Sequence, residues 1–154
     1  MAPAPCRCEA RRTEAAPAPA ATGAVREERQ MPHYLIFFNQ QWVGDHDEAW
    51  YQTRVEPSTA VVRDMREQGV LVFAGGLEED LAQAASADAT SGTPVVTDGP
   101  FTTTEEWLGG MTIIDVPDDE TARRWAGRVA EGCGWPQEVR RFTGGSMRGA
   151  APGE

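Results

Sequence analysis

Lysine is missing altogether. The fourteen basic residues are all arginine, and against twenty-four acidic ones they leave the 154-residue chain with a formal net charge of −10. A chain this acidic repels phosphate backbones, which removes nucleic acid from the expected partners. Long apolar runs are missing too: no stretch approaches the roughly 18 residues of a membrane span, so no membrane association is expected. Histidine occurs only at His33 and His46, and cysteine only at Cys6, Cys8 and Cys133. Cys6 and Cys8 have no second pair or histidine beside them, so no metal site is expected. There is no Gly-rich phosphate loop and no Ser–His–Asp series, which sets nucleotide hydrolysis aside and leaves no cofactor expected. The odd cysteine count and the lack of a secretory apolar core point to a reducing cytoplasm. Cys133, after a predicted helix, reads as a buried spectator rather than a reactive thiol.

Composition divides the chain. Residues 1–30 are rich in Ala, Pro, Arg and Glu and contain no aromatic residue. Such a segment buries too little apolar area to offset its ordering entropy and is expected to be disordered. Met31, directly before the first strand, is a candidate translational start. Residues 31–143 are expected to form one domain, and 144–154 a flexible Gly-rich tail.

Within 31–143 the pattern reads as β-α-β, a hairpin, then β-α-β. His33 to Asn39 and Val70 to Ala74 are continuous apolar runs, the mark of strands buried on both faces. Asn39 to Trp50 reads as a polar, aromatic-studded loop. A helix is predicted from Pro57 to Gln68, closed by Gly69, with Val61, Val62 and Met65 as its buried stripe. Ala84–Thr90 and Thr93–Thr97 flank a Ser91-Gly92 turn. Gly110–Val116 is the next strand. Asp118 caps a helix whose stripe is Ala122, Trp125, Ala126 and Val129 and which Gly132 closes. Glu138–Phe142 reads as a charged edge strand, where Arg140 and Arg141 serve either an anion or edge solubility. This order describes an α+β, ferredoxin-like sheet with two helices on one face. Two helices cover only that face, so a second copy of the sheet is expected on the other, giving a homodimer.

Between the hairpin and the next strand lies Asp98-Gly99-Pro100-Phe101. As a turn, Asp98 accepts a hydrogen bond from a backbone N–H two residues on, Gly99 permits positive φ, and Phe101 folds back as an apolar plug. This motif, with Leu108-Gly109-Gly110, Tyr34-Leu35-Ile36-Phe37-Phe38, Val72 to Leu77 and Trp135 to Phe142, resembles the YCII-related, or DGPF-domain, family. The usual family pattern is similar to DGPF-x-E-x-K-E-x-L-G-G-F. Thr103 replaces an acid, Glu105 a lysine and Met111 a phenylalanine. The resemblance implies a dimeric α+β barrel with a ligand cleft between the sheets.

Two loops hold the candidate chemistry. In Asp45-His46-Asp47-Glu48, flanking carboxylates would orient the His46 ring and make it a stronger proton acceptor, as a general base needs; the other reading is an exposed, acid-flanked histidine. The resemblance makes Asp45 and His46 candidate catalytic positions. In the second loop, Asp98 is catalytic or a turn residue, and Glu106 a site carboxylate or a solvated charge. Trp42, Trp50 and Trp107, near predicted loops, wall an apolar or aromatic ligand site or else pack the dimer interface or the core, and Phe101 is a further candidate at the ligand. The expected function is binding of a small aromatic or lactone-like molecule, with cofactor-free isomerase or lyase chemistry. The alternative is a non-catalytic binding or interaction module with a regulatory role.

Overall fold

The computed structural model describes residues 31–144. The tails expected at 1–30 and 144–154 lie outside the described residues, Gly144 excepted. In chain order the elements are β1 (His33–Asn39), α1 (Glu48–Glu67), β2 (Leu71–Gly76), β3 (Ala85–Asp88), β4 (Val95–Asp98), β5 (Leu108–Asp115), α2 (Asp119–Cys133) and β6 (Glu138–Arg141). The main sheet has the order β2-β5-β1-β6 with every pairing antiparallel, the ferredoxin-like α+β arrangement. β3 and β4 form a separate two-stranded sheet.

Side chains alternate across a strand, and β1 shows what that alternation does here. Tyr34 and Ile36 point into the core with Ile114 of β5, Met65 of α1 and Ala122, Trp125, Ala126 and Val129 of α2. Both helices therefore lie on one face. Leu35 and Phe37 point to the other face and are only half-buried. β2 is an edge strand in which Val72 and Phe73 are 51% and 52% exposed. Neither strand is thus buried on both faces within one chain. The apolar runs are real, but half of each run faces away from the helices.

Several boundaries differ from the sequence reading. α1 begins at Glu48 rather than Pro57. Asp47 is its N-cap, accepting from the Trp50 N–H at 2.8 Å, and the helix passes through Pro57. A 3-10 turn at Gln40–Trp42 shortens the expected loop from the other end. α2 continues past Gly132 to Gly134, whose φ of +87° makes it the left-handed C-cap. Gly132 instead faces α1, where an added Cβ would stand 3.0 Å from the Pro57 carbonyl oxygen. Asp118 caps α2 as expected, accepting from the Thr121 N–H at 2.7 Å.

Candidate functional site

The face of the sheet away from the helices carries Leu35 opposite Ile113, Phe37 opposite Met111, and Phe73 of β2 opposite Ile113. Among the described residues no helix covers it. At one end of this face β1 runs into the turn at Gln40–Trp42, and that turn is fastened to the residues entering β5. The Gln40 N–H donates to the Trp107 carbonyl at 2.8 Å, and the Trp107 N–H donates to Gln41 Oε1 at 3.1 Å. These two bonds bring the Glu106 carboxylate to the strand end. There one oxygen accepts from Asn39 Nδ2 at 3.0 Å and from Trp42 Nε1 at 3.3 Å. The Trp42 ring lies 6.1 Å from Phe37. A carboxylate fixed by two neutral donors thus stands at the rim of an apolar floor. The Trp107 indole N–H is buried there without a partner among the described residues.

His46 sits elsewhere. It precedes α1, is exposed, and lies flat on Trp50 with ring centroids 3.6 Å apart and planes 12° apart. Tyr51 meets it edge-on at 6.1 Å. The aromatic series continues from Trp50 to Trp135 at 6.3 Å and from Trp135 to Phe38 at 5.3 Å, with the Arg54 guanidinium 5.0 Å from the Trp50 ring. Phe38 follows Phe37 and points to the opposite face. The His46 series is therefore on the helix side of the sheet, and the Glu106 cluster on the open side. Asp45 is exposed beside His46, and Asp47 is engaged as the helix cap.

The third neighbourhood is the hairpin. Gly99 has φ +92°, and its N–H extends the ladder to the Ala84 carbonyl at 2.7 Å. The turn chemistry differs from the expectation in two respects. The residue two beyond Asp98 is Pro100, which has no N–H to give, and the described residues supply the Asp98 carboxylate with no hydrogen bond. Phe101 does not plug the fold; it is 71% exposed. Both residues line a cleft of about 430 Å³ with Ser86, Asp88, Thr97 and Pro100.

One chain therefore brings Trp42, Glu106 and Trp107 together, holds His46 and Asp45 at the start of α1, and carries Asp98 and Phe101 on the hairpin. Sequence reasoning missed Asn39 as the donor to Glu106. Its signal was a lone amide closing an otherwise apolar strand. Cys133 is half-buried at the end of α2, and burial pushes its thiol up, away from the reactive thiolate. Among the described residues no group of three His, Cys, Asp or Glu side chains is placed to hold a metal ion, and no helix is long and apolar enough to cross a membrane.

No curated protein matches the chain. The family model of the YCII-related domain matches residues 46–142, which is more than half of the chain. That match takes in α1, the hairpin with its DGPF turn, β5, α2 and β6, and stops short of β1. With this match and the ferredoxin-like sheet order together, the chain belongs to the YCII-related domain family.

Proposed function

We propose that the protein binds a small, flat, largely apolar molecule, aromatic or lactone-like, against its open sheet face, in a cleft that a second copy of the chain closes in a cytoplasmic homodimer. One observation carries this reading: the Glu106 carboxylate is fixed by Asn39 and Trp42 at the rim of an uncovered apolar sheet. Concave apolar surfaces with a few placed polar groups are the usual form of a ligand site. Glu106 would accept a hydrogen bond from a polar edge of the ligand, and Phe37 and Trp42 would lie against its flat face.

The test is native mass spectrometry of the protein purified from its own host. The expected result is a dimer with a retained small mass. Glu106→Gln keeps the shape and removes the charge, and is expected to weaken binding of the released molecule about tenfold or more, the order of one charged hydrogen bond. Unchanged affinity would overturn the reading.

A second reading places the ligand on the helix side of the sheet instead, for cofactor-free proton transfer of isomerase or lyase type with His46 as base and Asp45 beside it. The observation favouring it is that the His46 ring is held by Trp50 while remaining accessible. NMR titration of His46, with His33 as internal reference, tests it. A titration that moves when the ligand is added favours catalysis. One that does not, with affinity unchanged in His46→Ala, favours a regulatory binding module.

A further inference from the structure

We propose that the β3–β4 arm of one copy lies across the open sheet face of a second copy, so that Asp98 and Phe101 complete the Glu106 site in trans. This inference rests on the ligand reading above for the identity of the site, but not for the contact itself.

The arm is an insertion. β2 and β5 pair directly, down to Gly76 opposite Gly110, yet residues 77–107 intervene between them. Inside that insertion β3 and β4 pair only with each other, and their main contacts are mutual. An isolated two-stranded hairpin is marginal in water, so this one needs a surface to rest on. Its apolar side chains are turned outward: Val95 is 56%, Val96 71% and Phe101 71% exposed. The same chain leaves Val72, Phe73 and Leu77 about half exposed beside its uncovered sheet face. Together these side chains leave roughly a few hundred Å² of apolar area uncovered per copy, on the order of the apolar share of an ~800 Å² half-interface.

Charge selects the occupant. Every charged residue of the insertion is acidic, from Glu78 and Asp88 to Asp98 and Glu105. A partner surface for it must be basic or apolar. The open face supplies both. Arg140 of β6 stands opposite Leu35 and so shares its face, and it is absent from the described ion pairs, which engage Arg63, Arg128 and Arg141. A chain that carries both an arm and a face to receive it satisfies two-fold symmetry, because each copy gives what the other lacks. The exchange would also bring Asp98 and Phe101, which line the hairpin cleft of their own chain, to Glu106 and Trp42 at the rim of the other copy.

The experiment places a photo-crosslinking phenylalanine analogue at Phe101 of the full chain. The expected product is a covalent species of twice the chain mass, with the crosslink in residues 33–39, 71–76, 108–115 or 138–141. Crosslinks confined to the same chain, or a wild type that is monomeric at micromolar concentration, would overturn the proposal. As a second measurement, Val96→Asp and Arg140→Glu, both at exposed positions, are each expected to raise the dimer dissociation constant about tenfold or more with unchanged far-UV circular dichroism. Folded variants that dimerise as the wild type does would equally overturn it. Ligand retention is read separately, so a dimer crosslinked in trans that carries no small molecule sinks the ligand reading and leaves the arm exchange standing.

Discussion

At the scale of single residues, the sharpest constraints are those where a backbone approaches or a carboxylate is held. Gly110 is one. A Cβ there would stand 2.9 Å from the Phe38 ring, 3.0 Å from the Gly75 carbonyl oxygen and 3.1 Å from the Gly76 Cα. Two of those three neighbours are backbone and cannot swing aside. Gly110→Ala is therefore expected to cost about 1–3 kcal/mol, read as a lower denaturant midpoint at unchanged slope. Asp118 is another. The Thr121 N–H and hydroxyl hold its carboxyl below the ordinary aspartate range. A lowered native value means that the cap's contribution is fully present above the unfolded value of about 3.9 and is lost as pH falls through the lowered native one. Asp118→Asn keeps an acceptor at the cap without a titrating group. Its stability is expected to depend less on pH in that acid window than that of the wild type, as followed by thermal melts from neutral to acid pH. Tyr34 works in the opposite window. Burial first, and then its 2.6 Å hydrogen bond to Asp119, push its phenol up, so its share of stability is lost only as pH rises beyond the ordinary tyrosine range.

At the scale of elements, α1 shows how far sequence alone reaches. Its C-terminal half was legible because Val61 and Met65 repeat at helical spacing and Gly69, at φ +69°, ends it. Its first turns were not, because Pro57 looks like a starting residue. What keeps the helix going through Pro57 is tertiary: Trp50 packs near Trp135, and the Arg54 side chain lies against Gly134. The helix still lacks the hydrogen bond that an N–H at position 57 would give the Thr53 carbonyl. Pro57→Ala is accordingly expected to stabilise the chain by about 1–2 kcal/mol, the helix gain less the entropy returned to the unfolded state, measured by chemical denaturation. α2, the hairpin and the order of strands were legible for a simpler reason, since periodicity and turn residues are local signals. The grouping of the site was not, because it depends on which side of the sheet Phe37 and Phe38 point. That depends on strand register, which no short motif carries. Asp98 and Phe101 were singled out by their motif, yet only the folded chain shows that they line a hairpin cleft while Glu106 is held at the end of β1.

At the scale of the whole molecule, the proposed dimer would make stability a property of concentration. If two copies cover each other, unfolding releases two chains, and the melting temperature is expected to rise as protein concentration is raised across the micromolar range. A melting temperature independent of concentration would mean that the open face stays open. The place of β1 has a different kind of consequence. The first strand of the described chain is flanked by β5 and β6, so Tyr34 pairs with both Ile114 and Arg141. On the ribosome this strand emerges early and finds its last neighbour only when almost all of the domain has been made. Until then its aromatic run has only temporary shelter, from a chaperone or from collapse onto α1. Because its pairings span nearly the full length of the domain, folding should be slower than the two helices would suggest, and losing β6 alone would leave β1 as a bare edge.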